Sequence, residues 1–212
     1  MPSFIEEELL EAQGYHFIAG IDEAGRGALA GPVVAAAVIL PRPIDASWLA
    51  EVRDSKQLTP AKRDLLFHYI REIAVSIGIG SVPHYLVDKN GIIRATHLAM
   101  KQAVDQLSPS PESLLIDYMC LPEIRLPQKG ITDGDNLCFS IACASIIAKV
   151  ARDQLMIAFD RIYPGYGLAQ HKGYGTREHL ACLSRLGPCP IHRRTFSPVK
   201  DVILYQRLSG EE

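Results

Sequence analysis

The chain predicts an α/β fold, a mixed sheet flanked by helices with a helical and loop region after about residue 160. Three observations predict it. Two apolar runs, over about 17–22 and 33–40, are separated by a glycine-rich turn, which makes a hairpin. Strand-length apolar runs then alternate with segments whose apolar residues recur at helical spacing. The stop signals Pro164-Gly165 and Gly187-Pro188 divide the C-terminal part of the chain into short helical pieces.

In chain order, Ser3 and Glu6 form a capping box for a helix over about 4–13. The hairpin comes next, its second strand the apolar run from Val33 to Leu40. Asp54-Ser55-Lys56-Gln57 is a polar loop. Thr59 then serves as N-cap with Pro60 at the first helical position, opening a helix to about residue 73. Residues 74–80 read as a third strand. Ile92, Ala95, Ala99, Ala103 and Leu107 repeat at helical spacing over about 91–107, and Pro109 and Pro111 end that helix. Leu114-Leu115-Ile116-Asp117 is a short buried strand with an acid at its tip. A helix over about 142–160 is apolar on one face through Ile147, Ala151, Leu155 and Ala158, and Thr176 caps the last clear helix. No repeat or low-complexity tract interrupts this order. The expected organisation is a core over 1–160 and a basic region over 161–212 that completes a substrate groove, together one continuous domain.

At 212 residues and 48% apolar composition the chain buries a substantial core, which excludes bulk disorder. The formal charge of -2 conceals a polarity. Residues 161–200 hold seven Lys or Arg against the single acid Glu178, about +6 in all, and interleave His171, Lys172, Tyr174 and Ile-His-Arg193-Arg194. Rings among cations suit a polyanion. The five cysteines are odd in number and contain no C-x-x-C pair, which argues against a zinc site or disulfide framework. The N-terminus is acidic and no apolar run reaches membrane-spanning length, so a soluble, cytoplasmic protein with no membrane partner is expected, acting as a monomer.

Ile18 to Gly31 reads Ile-Ala-Gly-Ile-Asp-Glu-Ala-Gly-Arg-Gly-Ala-Leu-Ala-Gly. Asp22 and Glu23 stand where the strand ends and a turn with Gly25, Arg26 and Gly27 begins. An acid pair beside bared backbone and one cation suits divalent metal and phosphate chemistry, and points to a nuclease. The plainer reading makes both acids turn caps. A dinucleotide site does not fit, because the spacing is G-x-G-x-x-x-G and a strand comes after it instead of a crossover helix. Asp117 adds a third strand-end carboxylate, and the loop Thr132-Asp133-Gly134-Asp135-Asn136 offers a fourth. Oxygen ligands favour Mg²⁺ or Mn²⁺ over zinc. Asp153 lies four residues after Lys149 within a helix, where an ion pair is the expected fate.

With these residues in place, the chain resembles the bacterial ribonuclease HII, or type 2 ribonuclease H, family. The resemblance rests on Gly20-Ile-Asp22-Glu23-Ala-Gly25-Arg26-Gly27, Asp54-Ser55-Lys56, Leu115-Ile116-Asp117, Ala144-Ser145 through Asp153, His171-Lys172-Gly173-Tyr174 and His192-Arg193-Arg194 through Val199. It implies a ribonuclease H-like five-stranded sheet, and a two-ion Mn²⁺ or Mg²⁺ site on Asp22, Glu23, Asp117 and Asp135. It also implies a Gly25-Arg26-Gly27 loop that senses the ribose 2′-hydroxyl and a Tyr174 ring that packs at the RNA–DNA junction. Lys56, Lys172, Arg193 and Arg194 are the further substrate-binding candidates. The implied substrates are RNA–DNA hybrids and DNA duplexes containing ribonucleotides, cut 5′ of the ribonucleotide to leave 3′-hydroxyl and 5′-phosphate ends, with a role in ribonucleotide removal. Three departures from the family pattern stand out: Ala28 replaces a proline, Tyr118-Met119 replaces Gly-Asn, and Asp133 replaces a lysine, which makes Asp133 a competitor for Asp135. The alternatives are a structure-selective DNA nuclease of the same fold and a hybrid-binding module without chemistry. The tail from Gln206 shows no partner motif, leaving recruitment to a replication clamp undecided.

Overall fold

Five strands form one sheet. In the computed structural model, which describes residues 1–209, β1 (Ile18–Ala24) and β2 (Val33–Ile39) are the expected hairpin, paired from Ala19 with Ile39 to Ala24 with Val34. The tail residues 210–212 lie outside the described residues. β3 (Ser76–Val82) runs antiparallel to β2, and β4 (Ser113–Asp117) and β5 (Gln128–Ile131) add in parallel beyond β1, giving the order β3-β2-β1-β4-β5.

Helices cover both faces, so every β2 residue is buried. Strand alternation divides its side chains. Val33, Ala35, Ala37 and Ile39 join Ala95, Ala99 and Ala103 of α4 in one core, reached after α1 (Ile5–Glu11), α2 (Pro60–Ile73), α3 (His84–Asn90) and α4 itself (Ile92–Asp105). Ala36 and Val38 join Leu66 and Ile70 of α2 and Ile146 and Ile147 of a 24-residue helix in the other. That helix is α6 (Phe139–Ile162), entered through the single turn α5 (Gly134–Leu137). α7 (Leu168–His171), α8 (Arg177–Leu186) and α9 (Val199–Ser209) complete the chain.

α6 lies against the backbone of β1. A Cβ on Gly20 would sit 2.1 Å from the carbonyl carbon of Ser140, so only glycine admits this approach. The contact seats the first turn of α6 on β1, and Ser145, a turn further on, reaches Asp22. Pairing of β1 with β4 runs as far as Ile21 with Ile116; Asp22 and Asp117 come next, side by side on one face.

The hydroxyls of Thr59 and Thr176 cap α2 and α8 as expected, accepting the N–H groups of Lys62 and His179 at 3.3 Å. The Ser3–Glu6 capping box does not form. Phe4 is the N-cap of α1, and the Ser3 hydroxyl faces the carbonyl of Leu137 instead. α6 begins three residues earlier than its apolar pattern suggests, because the Glu7 carboxylate of α1 accepts the Ser140 N–H at 3.0 Å. This cap comes from a distant part of the chain, where no local signal betrays it. The fifth strand, implied by the resemblance, was not located in the sequence, and α3, α5, α7 and α9 were not read from it either. β5 is a half-exposed edge strand of Gln, Lys, Gly and Ile, held by its register with β4 instead of by its own propensity.

α6 runs across residue 160, and the last third of the chain packs against the β1–β2 loop. Leu29 meets Leu183 and Val199, and Ala30 meets Met156, Tyr166 and Ile191. Among the described residues no helix is long and apolar enough to cross a membrane.

Because the Gly20 contact is backbone against backbone, Gly20→Ala forces β1 and α6 apart. The expected loss is about 3 kcal/mol, a Tm drop of roughly 6–12 °C in a thermal melt. An unchanged Tm would show that the helix is not seated on β1 at this point.

Candidate active site

Asp22, Glu23 and Asp117 line one cleft of about 380 Å³ together with Gly25, Arg26, Gly27, Ser55, Lys56, Lys149 and Tyr174. A larger depression, about 590 Å³, lies at the other end of β1 around Phe17, Leu40 and Arg42, away from this acid cluster. Asp22 is buried and hydrogen-bonded to the Ser145 hydroxyl of α6, which in turn lies 2.9 Å from the Ser55 hydroxyl. Asp117 Oδ1 accepts the Gly134 N–H at 2.8 Å and so ties the tip of β4 to α5. Asp135, also buried, stands at the edge of the cleft with Lys56 Nζ 3.8 Å from its Oδ2. Among the described residues no three His, Cys, Asp or Glu side chains gather closely enough to hold an ion as they stand; the acids border a cleft instead of closing on a point.

Charge is concentrated here. Burial, with the charges of Glu23 and Asp117 beside it, raises the Asp22 carboxyl well above the usual carboxylate range. Burial also raises Glu23, against the pull of Arg26, and raises Asp117. Asp135 is pushed up to about 6 by burial and by the charges of Asp54 and Asp117, and its carboxyl shares a hydrogen bond with Asp54. Lys56 is disfavoured as a cation by burial, yet the acids Asp54, Asp135, Asp22 and Asp117 outweigh this and hold it charged.

The glycine-rich loop is fixed from behind by two buried guanidinium groups. Arg193 donates to the carbonyls of Gly25 (2.7 Å), Arg26 (2.8 Å) and Gly31 (3.1 Å). Arg152 donates to those of Pro32 (2.9 Å), Lys172 (2.9 Å) and Ala30 (3.1 Å). Gly25, at φ +93°, leaves room for Arg152, whose Nε lies 2.0 Å from where a Cβ would be. Gly27 differs, since a Cβ there would meet nothing within 4 Å. Nothing inside the chain requires that glycine.

The structure therefore brings together Asp22, Glu23, Asp117, Asp135, Gly25, Arg26, Gly27, Lys56 and Tyr174. Arg26 pairs with Glu23 at 3.3 Å, and the Tyr174 ring lies 5.3 Å from the Arg152 guanidinium and 5.8 Å from Lys149 Nζ. Three expected substrate contacts do not line this cleft. Arg193 is fully buried with its donors committed to loop carbonyls, where it shapes the loop. The Lys172 ammonium folds back onto the carbonyl of Ala169 and borders a neighbouring depression around Arg63 and Asp153. Arg194 is exposed but does not line the cleft; its main-chain N–H is held by Asp88 at 2.8 Å. Asp133 is exposed, at φ +55°, and lies outside the cleft wall. Asp153 forms the expected pair with Lys149 at 2.6 Å and a second with Arg63 at 3.2 Å. Sequence reasoning passed over Asp54, Ser145 and Lys149 as site residues, and Arg152 as a loop clamp; Asp54-Ser55-Lys56 and Ala144 to Asp153 were visible only as motif positions.

Carboxylates at the ends of adjacent central strands of such a mixed sheet, beside a bared glycine loop, suit a phosphodiester-cleaving nuclease. Comparison with known proteins makes this specific. The family model described as Ribonuclease HII matches residues 19–199. A Ribonuclease HII of Dehalococcoides mccartyi (strain BAV1) is 59% identical over 202 residues, covering 95% of both chains, and one of Geotalea uraniireducens is 53% identical over 203 residues, covering 95% of this chain and 93% of the relative. Among solved structures, the ribonuclease H2 of Pyrococcus horikoshii OT3 superposes with a TM-score of 0.75 at 24% identity, over 90% of this chain and 98% of that one. Bst-RNase HIII in complex with Mn²⁺ does so with a TM-score of 0.70 at 20% identity, over 91% and 70%. The chain belongs to the Ribonuclease HII family and is a ribonuclease.

Asp135 gives a test of the charge crowding. Its raised pKa means the folded state keeps a proton that the unfolded chain gives up, so this contribution to stability is present below about pH 4 and lost as the pH climbs through about 6. At pH 7.5 without divalent ions, Asp135→Asn is expected to stabilise the protein by on the order of 1–2 kcal/mol, with the gap closing toward pH 4. Denaturant melts at the two pH values check this, and a gap that widens in acid would refute it.

Proposed function

We propose that this chain is an endoribonuclease that hydrolyses the RNA strand of RNA–DNA hybrids and cuts 5′ of ribonucleotides embedded in duplex DNA. It leaves 3′-hydroxyl and 5′-phosphate ends, and its role is ribonucleotide removal. The observation that carries this reading is the cleft itself, lined together by acids, a bared backbone, Arg26 and the Tyr174 ring. Family membership supports it.

Asp22, Glu23, Asp117 and Asp135 would hold two divalent ions, Mn²⁺ or Mg²⁺, with side-chain rotation bringing the carboxylates together. The donor set fits hard cations. All donors are oxygens, Glu23 Oε2 is buried without a partner, and the crowding that raises these carboxyls is relieved by positive charge. When bound, such ions activate water and stabilise the leaving oxygen of an in-line displacement.

The remaining groups position the substrate. Gly27, with open space over its α-carbon, lets a sugar approach the main chain closely enough for the 2′-hydroxyl to be read. Arg26 can exchange Glu23 for a phosphate and grip it with two N–H donors. Lys56, with 77% of its side chain exposed and its charge held by four acids, meets a second phosphate. The Tyr174 ring, set on the cations of Arg152 and Lys149, offers a flat surface to the deoxyribose after the cut.

The test is a labelled duplex containing one ribonucleotide beside its all-DNA twin, with Mn²⁺ or Mg²⁺ and the ends mapped. Cutting of the first alone, 5′ of the ribonucleotide, is expected, with Asp22→Asn slower by on the order of 100-fold or more. Cutting of both duplexes would instead make the chain a structure-selective DNA nuclease. Gly27→Ala separates substrate approach from folding. Its Tm should hold or rise slightly, by about 0.4–1 kcal/mol in stability, while cleavage falls about tenfold; equal activity would remove the backbone-reading role.

A further inference from the structure

Behind Tyr174 lie imidazoles that the proposed chemistry does not use. His179 and His192 are fully buried, with their Nε2 atoms 3.0 Å apart. Two ring nitrogens at that distance share one proton, and the outer contacts decide which ring supplies it. His179 Nδ1 lies 2.9 Å from the carbonyl oxygen of Tyr174. A carbonyl only accepts, so Nδ1 donates and the neutral ring is left with Nε2 as acceptor. His192 Nε2–H is then the donor, and its Nδ1 accepts the Cys189 N–H at 3.0 Å. This tautomer pair satisfies the contacts to Tyr174, between the rings and from the Cys189 N–H, and the Cys189 thiol, 3.1 Å from the same Nδ1, can add a second donor; the Cys189 carbonyl, 3.3 Å from that nitrogen, receives no proton from it. Burial and the neighbouring His179 push His192 down to about 4, and burial lowers His179, so burial favours the neutral form of both rings. His171 stacks on His179 at 4.2 Å and donates from Nε2 to the Tyr166 carbonyl at 2.7 Å, closing the same turn.

This chain of bonds runs between the two elements that face the substrate. At one end, His192 bridges Ala30 in the backbone, with Gly31 N–H donating to Ile191 (2.9 Å) and Arg193 N–H to Leu29 (2.8 Å). That end is fixed to the glycine loop. At the other, the Tyr174 carbonyl accepts both His179 Nδ1–H and the Thr176 N–H at 2.8 Å.

We propose that His192 and His179 form a positioning relay, each ring locked in one tautomer, that holds Tyr174 in register with Gly25-Arg26-Gly27. The sugar-reading elements on the two sides of the cut then keep a fixed separation. The inference rests on the reading of Tyr174 as the junction ring. Neither imidazole touches substrate. A merely structural role would slow all substrates alike, whereas a positioning role lowers the preference for an RNA–DNA junction over a step between two ribonucleotides.

Two substitutions separate these outcomes. In His179→Asn the amide nitrogen stands where Nδ1 does and keeps the bond to Tyr174, while in His179→Gln it stands where Nε2 does and loses that bond. The measurement is kcat/KM on a duplex with one ribonucleotide divided by that on a long hybrid, with Tyr174→Ala as reference. The ratio is expected to fall about tenfold in Tyr174→Ala and in His179→Gln, the worth of one buried hydrogen bond, and to stay within about threefold in His179→Asn. A fall in Tyr174→Ala with none in folded His179→Gln overturns the relay and leaves the Tyr174 reading standing. No change in Tyr174→Ala overturns both. Should His179→Gln not fold, ring ¹⁵N shifts of the unsubstituted protein decide: protons on His179 Nδ1 and His192 Nε2 support the relay, and any other placement overturns it.

Discussion

The structure depends on how the carbonyls of the β1–β2 loop are satisfied. A glycine-rich turn leaves them outside the sheet ladder, and buried carbonyls without donors cost about 1–3 kcal/mol each. Here two guanidinium groups supply the donors, Arg152 from the middle of α6 and Arg193 from the C-terminal segment. Neither faces a carboxylate within the loop. The charge is met chiefly by carbonyl dipoles, with the ring of Tyr174 at Arg152 and that of Phe196 at Arg193, and the Arg193 guanidinium is driven down to about 9 by its burial and by Arg152 beside it. Such a group is hard to replace, because Lys offers a point charge where the planar fork meets three carbonyls. One set of bonds thus joins the hairpin, the long helix and the last third of the chain.

The acids of the cleft are organised on the contrary principle. Asp22, Glu23, Asp117 and Asp135 are held close by elements that have other reasons to be there: β1 and β4 by their parallel register, α5 by the Asp117 cap, and the Asp54–Lys56 turn by the Ser55–Ser145 contact. Their raised pKa values record that the fold tolerates this crowding. Lys56, held charged by the same acids, offsets part of it. Acids crowded without cations therefore sit beside a loop that is over-determined by hydrogen bonds, which is the arrangement a cation-dependent site needs if the loop is to stay still while charge enters.

Much of this was legible in the sequence. The hairpin, the third and fourth strands and the main helices follow from apolar period and from local caps such as Thr59 and Thr176, whose signals lie within four residues of the turns they fix. Elements fixed from a distance were not legible. β5 exists because β4 offers it a register, and the true start of α6 depends on Glu7, 133 positions away from Ser140. The acids were readable because carboxylates at strand ends are unusual, whereas the fates of the cations were not. Arg193 and Arg194 are adjacent and identical in type, yet one is fully buried and the other is exposed. Only the carbonyls waiting in the folded loop distinguish them.

The departures of this chain from the family pattern fall where that division of labour absorbs them. Asp133 adds an acid near the site, but its left-handed backbone turns it to solvent, where water screens much of its effect on Asp117. Tyr118, also left-handed and exposed, comes directly after Asp117 without entering the wall. Ala28 loosens nothing visible, because the loop around it is fixed by bonds at Gly25, Arg26, Ala30, Gly31 and Pro32 and by Leu29 N–H on Gly173. A turn held by so many donors does not need a proline to define it, so its shape tolerates Ala28 as long as the two arginines and the glycine that admits them remain.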